Sequence, residues 1–131
     1  MKILVVDDEL SLAENVAEIL AGAGHQADVA TSAEEALVHL KSGADGADLL
    51  VTDYRMPGAT GADLIRSVRG LGSRIPALVI TAYFDDEIAE SVRKAGAADI
   101  LSKPVDFERL LSWVAAAGSP KDPGDARKRG A

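Results

Sequence analysis

The chain has 131 residues, 47% hydrophobic and 27% charged, with a formal net charge of −7 and no cysteine. One globular domain fits that length and composition, and disulfides and zinc–thiolate sites are excluded. Residues 1–117 carry 19 acidic and 10 basic side chains, so direct nucleic-acid binding, which needs Lys and Arg on phosphates, is not expected of this domain.

Met1-Lys2 leads straight into Ile3-Leu4-Val5-Val6, which predicts a strand over 2–6 that ends at Asp7, Asp8 and Glu9. No signal peptide or membrane span fits there or later, so a cytoplasmic domain with no membrane partner is expected. Leu12, Val16, Ile19 and Leu20 recur on one stripe of a first helix. A second strand is predicted over 26–30. Ser32 and Glu35 have the spacing of a capping box, opening a second helix that carries Leu37 and Leu40.

Leu49-Leu50-Val51-Thr52 predicts a strand over 48–52, followed by the loop Asp53-Tyr54-Arg55-Met56-Pro57-Gly58. Leu64, Ile65 and Val68 mark a third helix. Ala77-Leu78-Val79-Ile80 predicts a strand over 76–80, followed by Thr81. The acid run Asp85-Asp86-Glu87 suits the positive end of a fourth helix, with Ile88, Ala89 and Val92 apolar and Gly96 as its stop. Ile100-Leu101-Ser102 predicts a strand over 98–101, followed by Lys103-Pro104. Asp106 is placed to cap a fifth helix with apolar Phe107, Leu110, Leu111 and Val114, and Trp113 beside that stripe is read as core packing, with a partner-facing anchor as the alternative. Residues 118–131 hold two prolines, three glycines and no large apolar residue, which predicts a flexible tail or interdomain linker after a domain spanning 1–117.

Short apolar runs alternating with amphipathic stretches five times predict an α/β fold, a doubly wound parallel sheet with helices on both faces. Right-handed crossovers make the strands parallel, and ligands of such sheets bind outside their carboxyl ends. Asp7, Asp8, Asp53, Thr81 and Lys103 all fall at that edge. Three carboxylates brought together repel one another and raise each other's pKa. A hard divalent cation relieves the repulsion, and oxygen-only ligation suits Mg²⁺, with Mn²⁺ as a substitute. A carboxylate is a nucleophile toward phosphorus, and Asp53, alone after its strand, is the best placed. Phosphoryl transfer then needs charge neutralisation, which the Lys103 ammonium supplies, with a hydrogen bond from the Thr81 hydroxyl.

At these residues the chain resembles the receiver domain of bacterial two-component response regulators. The paired acids match Asp7-Asp8, the phosphoacceptor loop matches Asp53 through Met56-Pro57-Gly58, the Thr-Ala pair matches Thr81-Ala82, and the Lys-Pro pair matches Lys103-Pro104. The resemblance covers residues 1 to about 117 and implies a flavodoxin-like five-stranded sheet of order 2-1-3-4-5. It implies Mg²⁺ held by Asp8, Asp53 and the backbone carbonyl of Arg55, with Asp7 acting through water, and a cis bond before Pro104. It also implies a sensor histidine kinase or histidine phosphotransfer protein as donor, with small donors such as acetyl phosphate as substitutes. Phosphorylation would switch the face of the fourth helix, fifth strand and fifth helix toward a downstream protein target or the protein's own output domain, with a homodimer possible. Arg55 and Tyr83 lie where the family tunes phosphoryl lifetime. The pattern departs at Ile100, where many receivers carry a switching aromatic.

Such a domain is a phosphoacceptor that assists its own chemistry and not a turnover enzyme. A Mg²⁺-dependent aspartyl-nucleophile phosphohydrolase is a competing reading, weakened because Arg55 is no general acid. A phosphorylation-independent interaction module of the same fold is another, and the intact acid set argues against it. No G-x-x-x-x-G-K-[ST] or G-x-G-x-x-G follows a strand, so no nucleotide site is expected. His25 and His39 lack ligand spacing and are read as solvated or half-buried.

Overall fold

The computed structural model describes residues 1–41 and 46–118. The main sheet has five strands, β1 (Lys2–Val6), β2 (Gln26–Ala30), β3 (Leu49–Asp53), β4 (Ala77–Thr81) and β5 (Asp99–Ser102), which alternate with five helices. The helices are α1 (Leu10–Gly22), α2 (Ala33–Lys41), α3 (Gly61–Gly70), α4 (Asp86–Ala95) and α5 (Phe107–Gly118). Neighbouring strands of this sheet pair in parallel in the order β2-β1-β3-β4-β5, and Arg55–Met56 and Ala59–Thr60 form a separate short antiparallel pair before α3. The expected tail lies outside the described residues apart from Gly118, which closes α5. Among the described residues, no helix is long and apolar enough to cross a membrane.

Successive strand residues face opposite sides of the sheet, and this divides the core in two. Leu4, Val6, Leu50, Ala77 and Val79 pack under α2, α3 and α4 with Ala36, Ile65, Val68 and Val92. Ile3, Val5, Leu49, Val51, Leu78 and Ile80 pack under α1 and α5 with Ala13, Val16, Leu20, Leu110 and Val114. β3 and β4 are buried along their whole length, as expected for central strands covered on both faces.

The helix ends follow local chemistry. The Asp85 carboxylate accepts from the Ile88 N–H at 2.8 Å, and Asp106 accepts from the N–H groups of Glu108 and Arg109. Gly96 takes φ +104° at the end of α4, a conformation that favours glycine.

Three expectations are corrected. Ser32 Oγ accepts from the Glu35 N–H, but Glu35 reaches back to the N–H of Thr31, one residue short of the cap. The reciprocal box forms instead at Thr60 and Asp63, which open α3. Leu12 is 36% exposed at the rim of the core, whereas Ala13 and Leu20 are the fully buried residues of α1. Phe107 is 38% exposed and lies outside the buried core, whereas Trp113 packs half-buried against the α1–α5 side of the core.

Candidate functional site

Parallel register carries the carboxyl ends of β1, β3, β4 and β5 to one edge. Val6 lies opposite Thr52, Asp53 opposite Ile80, and Thr81 opposite Ser102. Asp53 and Thr81 are thus the last residues of their strands and not the first of the loops. Being inside the ladder holds their backbones in place, which loop residues would lack.

The edge gathers the charged residues expected there. Carboxylate oxygens of Asp7, Asp8 and Asp53 lie within 4.8 Å of one another. Asp7 and Asp53 are buried, and Asp8 is exposed. The Lys103 ammonium lies 3.3 Å from Asp53 Oδ1 and 3.4 Å from Asp7 Oδ2. The peptide bond between Lys103 and Pro104 is cis, and the Lys103 N–H donates to the Thr81 carbonyl at 2.8 Å. The Asp53 carboxylate accepts a further bond from the Tyr54 N–H at 2.9 Å, and Asp7 accepts from the Glu9 N–H at 3.0 Å.

Burial pushes the Asp53 carboxyl above its ordinary pKa, and the negative charge of Asp7 adds to the shift, while Lys103 partly offsets both. Burial alone would pull Lys103 down. The neighbouring carboxylates of Asp53 and Asp7 outweigh it, so the ammonium is held more tightly than in water. The site therefore concentrates more negative charge than it neutralises. Its hard oxygen donors fit a small divalent cation such as Mg²⁺.

Thr81 is almost wholly buried, at 1% exposure. Its hydroxyl accepts from the Tyr83 N–H and donates to the Tyr83 carbonyl, each at 3.1 Å. The Tyr83 ring is exposed and lies 5.0 Å beneath the Arg55 guanidinium, a cation–π contact across the two loops. Ile100 is half-buried against the α2–α4 side of the core. A cavity of about 220 Å³ opens beside Asp7, Asp53 and Lys103, with Leu12 and Phe107 in its wall.

Two supporting residues escaped sequence reasoning. A Cβ at Gly61 would sit 2.6 Å from the Asp53 carbonyl oxygen, so only glycine lets α3 start this close to β3. The buried Thr52 hydroxyl donates to that same carbonyl at 2.9 Å. A glycine and a threonine at a strand–loop–helix junction carry no distinctive sequence signal. His25 and His39 stand away from the cluster. His39 Nε2 lies 3.4 Å from Asp28, and His25 is half-buried.

A doubly wound parallel sheet with an acidic triad and a lysine converging at its carboxyl edge defines a receiver-type α/β domain. Residues 3–115 match the family model of the response regulator receiver domain. A response regulator receiver protein of Anaeromyxobacter sp. is 39% identical over 108 residues, covering 82% of this chain and 44% of that protein. The response regulator MprA of Mycobacterium tuberculosis is 38% identical over 128 residues, covering 96% of this chain and 54% of its own. This chain thus spans about half the length of these curated relatives. A solved response regulator receiver protein from Pseudomonas putida superposes with a TM-score of 0.80 at 36% identity, covering 88% of this chain and 95% of that one. The chain belongs to the response regulator receiver domain family of two-component systems.

Proposed function

We propose that Asp53 accepts a phosphoryl group from a sensor histidine kinase or a histidine phosphotransfer protein. An Asp53 carboxylate oxygen attacks phosphorus, the donor's P–N bond breaks, and the released imidazole nitrogen retains the electron pair and takes up a proton. With acetyl phosphate the P–O bond breaks and acetate leaves. Lys103, now paired with Asp53 and Asp7, follows the charge to a phosphoryl oxygen, and the Thr81 hydroxyl donates to another. Asp8, Asp53 and the Arg55 carbonyl would hold Mg²⁺, with Asp7 acting through water, and the bound ion would supply further neutralisation of negative charge on the phosphoryl oxygens.

The observation that carries this reading is the Lys103 ammonium within 3.4 Å of two buried carboxylates, with a third carboxylate beside them. A surplus of buried negative charge around one lysine is costly unless a cation and a phosphoryl group use it. The domain is a phosphoacceptor and not a turnover enzyme, because Arg55 provides no general acid two residues beyond Asp53.

Phosphorylation would bias a two-state equilibrium at segment 82–87 and at the face of α4, β5 and α5. That face would then engage a downstream protein, the protein's own output domain, or a second copy. The greater length of the curated relatives supports an output domain joined to residues 1–117 through a linker at 118–131. A histidine kinase or phosphotransfer partner implies a cytoplasmic location. Arg55 and Tyr83 shield Asp53 from water and lengthen the phosphoryl lifetime, and loss of either side chain should shorten it.

The test is intact mass of the chain and of Asp53→Asn after incubation with Mg²⁺ and acetyl phosphate, with and without EDTA. A gain of about 80 Da, dependent on Mg²⁺ and absent from the variant, supports Asp53 as acceptor. An equal gain in Asp53→Asn would overturn it.

A further inference from the structure

The aliphatic residue at position 100 leaves open how occupancy of Asp53 is communicated to the surface. Ile100 packs against the α2–α4 side of the core and has no polar tip. Tyr83, by contrast, is tied to the site twice. A hydroxyl has a single O–H to donate, and that of Thr81 is spent on the Tyr83 carbonyl while its oxygen accepts from the Tyr83 N–H. The Arg55 guanidinium, carried by the loop that follows Asp53, covers the Tyr83 ring at 5.0 Å. Tyr83 and the adjacent Phe84 are 63% and 54% exposed.

Both restraints on Tyr83 are cationic or O–H donors that an anionic phosphoryl oxygen attracts more strongly than a neutral carbonyl or an aromatic face does. If the Thr81 hydroxyl donates to a phosphoryl oxygen, the Tyr83 carbonyl loses its donor. If the Arg55 guanidinium turns toward the new charge, the ring loses its cover. From this arrangement we infer that Tyr83, and not residue 100, is the aromatic side chain through which this receiver reads phosphorylation, with Thr81 and Arg55 as the two catches that hold it in the unphosphorylated state. This rests on the proposed acceptance of a phosphoryl group by Asp53.

The experiment is ¹⁹F NMR of the full chain carrying 3-fluorotyrosine at its two tyrosines, Tyr54 and Tyr83, with the Tyr83 signal assigned by Tyr83→Phe. Beryllium trifluoride with Mg²⁺ serves as the phosphoryl mimic, and its own bound fluorine signal reports occupancy. The expected result is a bound signal accompanied by a displacement of the Tyr83 resonance larger than that of Tyr54. In Thr81→Val, with beryllium trifluoride raised until the weakened bound signal is recovered, the Tyr83 displacement on loading should be smaller than in the parent chain. Because Thr81 is buried, Arg55→Gln at an exposed position gives a second test, and in the unloaded protein it should move the Tyr83 resonance part of the way toward its loaded position. A bound signal with Tyr83 unmoved, or with the Ile100 δ-methyl moving in its place, would overturn the inference. Absence of any bound signal would instead overturn the phosphoacceptor reading beneath it.

Discussion

Lys103 and Asp53, fifty residues apart in sequence, meet with the ammonium 3.3 Å from Oδ1. The contact exists because β3 and β5 flank β4 and present their carboxyl ends to the same crevice. It is the only described ion pair of Asp53, and Asp7 shares the same ammonium.

Removing that ammonium should harm both chemistry and stability. Lys103→Met keeps the apolar stem and takes away one preorganised donor, so phosphorylation by acetyl phosphate should slow by roughly 100-fold. Asp7 and Asp53 would then face each other without a counter-charge, at a cost of about 1–3 kcal/mol at neutral pH. The cost should shrink as acid protonates the carboxylates. Urea unfolding of the variant across pH measures it, and a deficit that stays constant with pH would contradict the argument.

Asp53→Asn should raise stability at neutral pH. The folded-state pKa of Asp53 lies above its ordinary value of 3.8, so the folded protein binds this proton more tightly than the unfolded chain does. The stability this contributes is fully present below 3.8 and is lost as pH rises through the higher folded value. Asparagine avoids that loss. The urea midpoint of Asp53→Asn should therefore exceed that of the parent chain by a margin that grows from about pH 4 to pH 7. A margin that shrinks over that interval would show that Lys103, and not burial with Asp7, dominates the carboxylate's environment.

Gly61→Ala should be destabilising by about 1–3 kcal/mol. The added methyl would sit 2.6 Å from a backbone oxygen and 3.3 Å from the Thr52 side chain, and a strand backbone held in the ladder cannot yield as a flexible side chain does. Because the oxygen belongs to Asp53, the same change should also slow phosphorylation. An alanine variant with an unchanged urea midpoint would show that α3 can retreat from β3 at little cost.

The alternation of apolar runs was enough to predict the five strands of the main sheet to within a residue, as with 48–52 against Leu49–Asp53 and 76–80 against Ala77–Thr81, but not the short strands Arg55–Met56 and Ala59–Thr60, which were read as loop. The one-residue shift matters chemically. Burial continues through Asp53 and Thr81, and polarity at a strand end reads as loop unless the site that uses it is known. The capping prediction at Ser32 and Glu35 was half right, because hydrogen-bond reach depends on the entry angle of the chain, which spacing does not encode. Leu12 was placed on the apolar stripe of α1 by a periodicity that defines a face but not the depth of each position on it, and Ala13 and Leu20 are the residues fully buried there.

What the sequence by itself determined was the class of fold, the edge at which Asp7, Asp8, Asp53, Thr81 and Lys103 gather, and hence the chemistry those groups suit. Strand periodicity and crossover handedness are local rules, and they suffice to bring the carboxyl ends together. What only the tertiary structure decided were the contacts among residues that local rules do not relate. Lys103 reaches Asp7 across 96 positions, Gly61 lies against the Asp53 carbonyl, and Arg55 covers Tyr83. Those depend on how closely separate elements approach, at a scale of tenths of an ångström that packing sets and periodicity does not.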